Sequence, residues 1–589
     1  MSLLLAPSRE GTLSLAKKPA KPSIRWPVVR AALAEAGRAG GARLGRVLRL
    51  PHWARTPSRL LFAPQDLRAA DPATAEEIAA GLYVFADRHP PVMAGRSPFE
   101  IEAPSWAWAE QLYGFAWMRD LDAAGTEEAR EAARSLTLAA LRSSRHVLER
   151  GVARQPAVVA RRVIAMLAHS PFLLTGTDHD FYHRYLRRIG RDAAHLRRVM
   201  RQAPAPRERL AAAIGLAYAA LASAGLETRV ARASRVIEAE LGRQLLSEDA
   251  PLARNVGALV ELVLDLLPLR LLYESRALPV PAGIALAIER ALPILATLRH
   301  GDGEPPLFNG TGPARPGDRA LIFSDDRVGT PADRAVGYER LAAGETLVFV
   351  DAGKPPPLAL SAGHHAAPLA IEFSSGRNRI VVNAGAPPHA GPARDAARRT
   401  SAHSTLVLDG ESAGIPIDEE DRARGAWSTS YLSRRLGPVL IAGAREVASS
   451  RGDEDGTLTL TAHHDGYRAG FGAVHTRTLR LAADGGELEG EDAVRYSGRA
   501  AYRDARATLH FHLHPAVQAR EEEGGAGIVL DLPGGERWRF GTTGATPRLA
   551  PSLYFAVTEG RRATRQIVVD LPPSDGEAGT SLRWLFIRA

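Results

Sequence analysis

The chain of 589 residues contains no cysteine. This absence excludes disulfide bonds, zinc sites built from thiolates and cysteine nucleophiles. Aromatic residues are also scarce, at 6% of the chain, and no block of Lys and Arg is interleaved with stacking side chains. Nucleic-acid-binding surfaces are typically concentrated basic stripes, so the formal net charge of +9 indicates scattered arginine or an anionic substrate, and not nucleic acid.

Long apolar runs are missing as well. No stretch reaches the roughly 18 apolar residues of a transmembrane helix, and the mean hydropathy is -0.14. The N-terminus lacks the ordered basic region, continuous apolar region and small-residue cleavage site that mark a secretory signal. We therefore expect no membrane span, a cytoplasmic location with the periplasm left open, and a partly disordered leader over residues 1–60.

A chain of this length is too long for one hydrophobic core, so two or more domains are expected. From Pro72 to His300, apolar residues recur three and four positions apart between short Pro, Gly and Asp breaks, which predicts a series of helical hairpins. Predicted helices include residues 105–124, 179–203 and 254–275. The absence of a strict repeat favours a toroid or irregular bundle over a repeat solenoid, and we assign residues 61–312 to this helical domain.

The segment HGDGEPPLFNGTGPARPGD, from His300 to Asp318, is rich in Gly, Pro and Asp and ends the helical period. After it, short strand-like runs such as ETLVFVDAG and NRIVVNAG are separated by glycine turns. This pattern predicts a large antiparallel β-sandwich over residues 319–589. The expected fold class is therefore multidomain α+β, with helical hairpins followed by a sandwich.

The β half carries three histidine motifs, AHSTLVLDG, HHDGY and HTR. His463 and His464 are adjacent on one strand and point to opposite faces, so at most one of them joins an inward site. Imidazoles from separate strands plus one carboxylate would suit zinc, with His403 and His464 as first candidates and His475 behind them. The carboxylate stays open among Asp409, Asp418, Glu419, Glu420, Asp421 and Asp465. The alternative is that these histidines are hydrogen-bonded core or turn residues.

A fourth histidine motif, HFHLH, places His510, His512 and His514 on one face of a single strand. Same-face side chains of a strand lie about 6.5 to 7 Å apart, so these three imidazoles cannot surround one ion. We interpret the motif as a solvent-facing or groove-lining strand.

Arg254 and Asn255 begin an amphipathic helix in the helical half. Asn is favoured at the N-cap of a helix, and capping is the simpler interpretation. The functional alternative is that the guanidinium and the amide hold a ligand carboxylate at the positive end of the helix. The aromatic residues of SWAWAEQLYGFAWMRDL could stack on sugar rings, but most of them are expected in the core.

Taken together, these motifs resemble the heparinase II/III-like family of polysaccharide lyases. The resemblance rests on the helix start RNVGALVELVLDLL, the hinge HGDGEPPLFNG, the strand entry GYERLAAGETLVFVDAG, and then IEFSSGRNRIVVNAG, AHSTLVLDG, HDGY and VHTRTL. It extends from about Pro64 to the C-terminus and is most specific in the β half.

The resemblance implies an incomplete (α/α) toroid packed on the sandwich, with an acidic polysaccharide or oligosaccharide bound between them and cleaved by β-elimination. By position, Asn255 would neutralise the uronate carboxylate, with Arg254 beside it. His403, His464 and Asp421 would hold a structural divalent metal, zinc in preference to calcium.

Two departures from the family pattern bear on activity. The hinge offers Phe308 and Asn309 where a catalytic tyrosine is expected, and Ser401 stands two residues before His403, where related lyases often carry a catalytic histidine. A phenyl ring cannot transfer a proton. Proton transfer would then fall to other side chains, for which the candidates are Tyr338, Tyr467 and His475.

Three functional hypotheses follow. The first is a polysaccharide lyase-like enzyme that acts on a uronate-containing anionic glycan. The second is a catalytically silent glycan-binding protein of envelope or capsule polysaccharide metabolism, and the third is a helical scaffold whose β half contacts other proteins. The sequence leaves open the polymer, the mode of cleavage and the oligomeric state, for which a homodimer is one option.

Overall fold

The computed structural model describes residues 28–37, 55–93, 96–142, 147–203, 205–313, 317–318, 322, 329–387, 391–417, 427–497, 505–525, 527–557, 560–574 and 579–589. The helices of the N-terminal half are α1 (28–37), α2 (Ala73–Ala79), α3 (Trp106–Tyr113), α4 (Trp117–Ala124), α5 (Glu127–Arg142), α6 (Pro156–Ala168), α7 (Ser170–Leu174), α8 (His179–Gln202), α9 (Pro206–Ala222), α10 (Val230–Gln244), α11 (Val256–Ser275) and α12 (Ala282–Thr297).

The C-terminal half is built mainly of strands. They are β1 (Arg334–Ala335), β2 (Tyr338–Ala343), β3 (Thr346–Asp351), β4 (Ile371–Ser375), β5 (Asn378–Val382), β6 (Leu406–Leu408), β7 (Ile415–Pro416), β8 (Leu440–Ala442), β9 (Val447–Glu454), β10 (Thr457–His464), β11 (Ala473–Leu481), β12 (Glu487–Tyr496), β13 (Ala507–Leu513), β14 (Gln518–Glu521), β15 (Ile528–Asp531), β16 (Arg537–Thr542), β17 (Arg548–Tyr554), β18 (Arg562–Asp570) and β19 (Thr580–Arg588). Three short helices lie among them, α13 (Pro392–Ala397), α14 (Trp427–Leu436) and α15 (Arg468–Phe471).

The alanine-rich helix α9 is the centre of the helical half, because α6, α8, α10 and α11 all pack against it. Gly215 permits the close approach of α6, since a Cβ at this position would lie 2.8 Å from the Cβ of Ala160. Small side chains therefore let neighbouring helices meet along α9, and its middle residues are fully buried.

The single helix predicted over residues 105–124 is instead two helices, α3 and α4. The chain reverses at Gly114 and Phe115, and Phe115 takes a positive φ of 59°. This turn places the Phe115 ring in the core, with its centroid 5.2 Å from that of Trp117. The apolar periodicity of the sequence continues through residues 114–116, and for this reason it predicted one helix where the structure has two.

Two antiparallel sheets form the sandwich. Among the described residues, one sheet has the order β1-β2-β3-β4-β5-β13-β18-β17, with β6 also paired to β13, and the other has the order β14-β15-β16-β19-β12-β11-β10-β9. Aromatic rings from both sheets meet between them. Phe511 of β13 lies 4.9 Å from Trp584 of β19, and Phe373 of β4 lies 4.9 Å from Trp538 of β16. The predicted α+β class with an antiparallel sandwich is confirmed.

The two halves are joined through buried contacts. One apolar cluster runs from the helices into Phe308, Tyr338 and Phe349. In the hinge, His300 contacts Ser374 Oγ at 2.8 Å through Nδ1 and a Glu372 carboxylate oxygen at 3.1 Å through Nε2. Hinge and sandwich therefore share both a core and a polar network.

Part of the predicted leader is ordered. Helix α1 packs its apolar face, Val28 and Ala32, against Leu432 and Leu436 of α14, and Arg435 of α14 forms an ion pair of 2.9 Å with Glu35 of α1. Residues 28–37 thus belong to the folded protein, and the other residues of the leader before position 55 lie outside the described residues.

A buried carboxylate, Asp492, organises one end of the sandwich. Arg477 donates to it in bidentate fashion, His475 contacts it at 2.6 Å, and the indole of Trp584 donates to it at 2.7 Å. Burial acts to raise the pKa of Asp492, but the charge of Arg477 and the bond from His475 outweigh it and hold that pKa well below its usual range. Asp492 is therefore the anion that permits Arg477 to be buried.

We expect Asp492→Asn to destabilise the fold by about 3 to 5 kcal/mol, because it leaves a buried cation uncompensated. Glu491→Gln is the matched control, since its ion pair with Arg583 is exposed to solvent and such pairs contribute about 0 to 1 kcal/mol. Urea unfolding measures both. Because the folded-state pKa of Asp492 is depressed, its contribution to the free energy of unfolding should be complete above the unfolded-state pKa and lost as pH falls toward the folded-state pKa. Equal urea midpoints for the Asp492→Asn and Glu491→Gln variants would contradict this role.

Candidate functional site

A cleft of about 480 Å³ lies between the helical half and the sandwich. Its walls carry side chains of both signs of charge among apolar surface. The lining residues are Asp66, Arg68, Glu110, Gln111, Gly114, Ala116, Arg119, Arg161, Ile164, Ala165, Asn255, Gly257, Ala258, Val260, Glu261, Gly310, Gly312, Pro313, Asp318, Ala386, Pro387 and Arg394. A concave, charged site between two domains is a typical place for a ligand.

Asn255 is the predicted site residue that lines this cleft. Its side-chain oxygen accepts a hydrogen bond from the backbone N–H of Ala258 at 2.8 Å, so Asn255 is the N-cap of α11, as the capping interpretation predicts. The amide nitrogen lies close to Gly310, where an added Cβ would sit 3.0 Å from it. Capping fixes the oxygen and turns the donor end of the amide toward the cleft wall, so capping and ligand binding are compatible roles.

Arg254 points away from the cleft into the protein. Its guanidinium forms an ion pair with Asp351, donates to the carbonyl of Lys354 at 2.5 Å, and lies 5.4 Å from the centroid of the Tyr338 ring. Burial acts to lower the pKa of Arg254, but the charge of Asp351 outweighs it and the pKa is raised. The guanidinium is therefore committed to a buried protein partner, and its predicted contact with a ligand carboxylate stays a prediction.

Two other arginines, which the sequence did not single out, lie where a ligand could reach them. The guanidinium of Arg207 packs on Gly363, whose carbonyl in turn approaches Gly310 beside Asn255. Arg394 lines the cleft. Burial lowers the pKa of Arg394, and crowding by protein atoms together with the charge of Arg394 lowers the pKa of Arg207 to about 10. Both stay protonated at neutral pH.

The sequence did contain a signal for this pair. Arg207 follows Pro206 at the start of α9, and Arg394 follows Pro392 at the start of α13. The N-terminal turn of a helix carries partial positive charge, so a cation there is unfavourable unless an anion joins it. An arginine in the first turn of a helix that begins with proline is therefore the feature that these two positions share in the sequence.

The candidates for proton transfer lie in the interior. The Tyr338 hydroxyl donates to the carbonyl of Arg254 at 2.6 Å, and the Tyr467 hydroxyl donates to the carbonyl of Leu406 at 2.9 Å. His475 is fully buried against Asp492. Burial raises the pKa of both tyrosines well above the usual range and lowers that of His475. Among the described residues that line the cleft there is no tyrosine or histidine, so these three roles stay predictions.

The predicted metal ligands are engaged by protein groups. His403 contacts the Arg399 carbonyl through Nδ1 and His365 Nδ1 through Nε2, at 2.9 Å each. His464 accepts from the backbone N–H of Gly466 at 3.0 Å and contacts His475 at 3.2 Å. Neither ring has a nitrogen left for a metal in this arrangement, and the described part of the chain shows no cluster of three ligands.

Asp421, with the acidic run from Asp418, lies outside the described residues. The structural metal therefore stays a prediction, and the histidines that are seen fit it poorly.

The other singled-out residues have structural roles in the described residues. Trp108 and Trp117 are buried, as expected for core aromatics, whereas Trp106 is 42% exposed. Strand β13, which carries HFHLH, lies inside a sheet, and its His512 is buried and contacts Ser552 Oγ at 2.7 Å. The face of this strand that was expected to be open is therefore covered at His512. Alternation in the sequence shows which side chains share a face, but it does not show whether another segment covers that face.

Comparison with known proteins bears on the family. Residues 329–585 match the family described as heparinase II/III-like, C-terminal. The C-terminal half of this chain is therefore similar to the heparinase II/III-like C-terminal family. A crystal structure of heparinase III aligns with a TM-score of 0.67 at 12% identity, covering 96% of this chain and 93% of that one. A heparan sulfate lyase mutant from Pedobacter heparinus aligns with a TM-score of 0.56 at 12% identity, covering 98% and 92%.

One relative matches over most of its length by sequence. FtsZ-localized protein C of Caulobacter vibrioides is 29% identical over 544 residues, which is 90% of this chain and 91% of the relative. The structural matches show a common fold of helical array and sandwich. In the part of the chain that the structure describes, no helix is long and apolar enough to cross a bilayer.

Proposed function

We propose that this protein is a polysaccharide lyase-like protein that binds a uronate-containing anionic glycan in the cleft between its two halves. The observation that supports this most directly is the presence of Asn255 and Arg394 in the cleft wall, with Arg207 nearby on Gly363, in a chain whose C-terminal half matches the heparinase II/III-like family. Two cations and an amide donor near one wall form a site for a carboxylate.

The proposed chemistry is β-elimination. Removal of the proton at C5 of a uronate places negative charge on the adjacent carboxylate, and fixed donors beside that carboxylate lower the barrier. Arg207 and Asn255 would supply this charge stabilisation, with Arg394 binding a neighbouring anionic group. The resemblance placed Arg254 beside Asn255 at the uronate carboxylate. In this proposal Arg207 has that role, because Arg254 is paired with Asp351. No step depends on a metal.

The test is incubation of the purified protein with a panel of uronate polysaccharides, followed by ultraviolet absorbance of the unsaturated product. We expect product from at least one polymer, and we expect Asn255→Ala to lower kcat/KM by about 10- to 1,000-fold because it removes a donor aimed at developing charge. Arg232→Met, an exposed arginine of α10 outside the cleft, is the control and should match the wild type. A flat trace across the panel with binding retained would remove the lyase proposal.

A second candidate is a catalytically silent glycan-binding protein that works where the cell divides. Two observations favour it: the cleft lacks a tyrosine or histidine among its described lining, and the Caulobacter vibrioides relative is named for its localisation with FtsZ. A fluorescent fusion in the native cell should then form a band coincident with FtsZ. A fusion that stays diffuse while FtsZ rings are present would count against this candidate.

A further inference from the structure

The described lining of the cleft contains no tyrosine or histidine, the side chains expected to transfer protons in lyase-like chemistry. The proposed elimination therefore needs another group from that lining. Four carboxylates line the cleft, those of Asp66, Glu110, Glu261 and Asp318. A carboxylate serves as a base in proton transfer only if it is free of tight cationic partners and reaches the substrate. The four differ sharply by this criterion.

Two of the carboxylates are neutralised by arginine. Asp66 binds Arg119 at 3.0 Å, and Glu261 binds both Arg68 at 3.0 Å and Arg161 at 2.7 Å. Burial acts to raise the pKa of Glu261, but these two arginines outweigh it and lower the pKa to about 2. Carboxylates held in this way bind protons too weakly to be effective bases.

Asp318 and Glu110 remain. Asp318 is 5% exposed and accepts the backbone N–H of Ala69 at 2.7 Å, on the side of the cleft that holds Arg68 and Arg119. Glu110 of α3 is half-buried and accepts the indole N–H of Trp106 through one carboxylate oxygen at 3.0 Å. Burial raises the pKa of Glu110, and Arg394 is the cation that acts on it.

Glu110 lines the same cleft as Asn255 and Arg394. Arg394 also acts electrostatically on Glu110. A uronate held by Asn255 and Arg394 would therefore lie in the cleft that Glu110 lines. The second oxygen of Glu110 is available for the uronate ring, because Trp106 occupies the first.

We propose that Glu110 is the proton-transfer residue of this cleft, acting as base and then as acid in the elimination. This inference rests on the proposed function. The Glu110 carboxylate takes the C5 proton, the C5–H electron pair becomes the C4–C5 double bond, and the C4–O bond breaks with its pair on the leaving oxygen. Glu110 then returns the same proton to that oxygen, so the carboxylate is restored and no other reactant is needed.

A single residue that takes and returns one proton works on one face of the sugar. The substrate must therefore have its C5 hydrogen and C4 oxygen on the same face. Glucuronate meets this condition, and its C5 epimer iduronate does not. The inferred substrate class is a glucuronate-containing polymer.

The experiment compares wild type, Glu110→Gln and Asp318→Asn on matched glucuronate and iduronate polymers, over a range of pH. We expect wild type to cleave the glucuronate polymer alone, with a rate that rises as pH increases through the pKa of Glu110. Glu110→Gln should lower kcat by about 100- to 10,000-fold with KM little changed, and should lose that pH dependence. Asp318→Asn should keep both, because Asp318 is only 5% exposed and its carboxylate accepts the backbone N–H of Ala69.

Glutamine can still accept the Trp106 N–H, so the variant should fold and bind glycan, which thermal unfolding and binding measurements check. If wild type is active and Glu110→Gln retains its kcat and pH profile, the role of Glu110 is overturned while the lyase proposal stands. Loss of activity in Asp318→Asn alone would assign the proton transfer to Asp318 instead. A wild type that cleaves no polymer overturns both proposals.

Discussion

The buried ion pair between Arg254 and Asp351 is the contact on which the arrangement of the cleft depends. Arg254 immediately precedes Asn255, the N-cap of α11 in the helical half, and Asp351 ends β3 of the sandwich. Asn309 of the hinge donates to Asp351 at 2.8 Å and to the Tyr338 hydroxyl at 2.7 Å. Helix, hinge and sheet thus meet at one buried hydrogen-bonded network.

This network explains why Asn255 lies where it does. The carbonyl of Arg254 accepts the Tyr338 hydroxyl, which fixes the backbone one residue before the N-cap of α11. Two neighbouring residues at this helix start have different roles. The guanidinium of Arg254 joins the two halves of the protein, and the amide of Asn255 lines the cleft. The proposed function therefore assigns ligand binding to Arg207 and Arg394, which lie in the first turns of α9 and α13.

The sequence predicted what depends on local pattern. Apolar periodicity indicated the helical array, glycine turns indicated the sandwich, and the N-cap preference of asparagine located the start of α11. It did not predict that Arg254 pairs with Asp351, 97 residues away, because periodicity carries no information on long-range partners. For the same reason the sequence did not show that His403 and His464 each contact a second histidine, and the predicted metal at these residues stays a prediction.

Most of the described tyrosines and about half of the described histidines are buried, and the polar side chains that line the cleft are arginines, carboxylates and the amides of Gln111 and Asn255. Burial lowers the pKa of His403 to about 4 and that of His512 to about 3, so these rings stay neutral in the folded protein. The chemistry proposed for the cleft therefore uses charge stabilisation by arginine and proton transfer by a carboxylate. The sequence instead indicated Tyr338, Tyr467 and His475 as the candidates for proton transfer.

The most direct test is to compare Arg254→Met with Arg207→Met, measuring unfolding in urea and binding of an anionic uronate oligosaccharide. Arg254→Met should lose about 3 to 5 kcal/mol of stability, because Asp351 becomes a buried unpaired charge. Arg207→Met should unfold within about 0.5 kcal/mol of wild type but bind the oligosaccharide more weakly and with a shallower dependence on salt. An Arg254→Met protein of wild-type stability that has lost binding, beside an Arg207→Met protein that binds normally, would contradict this account.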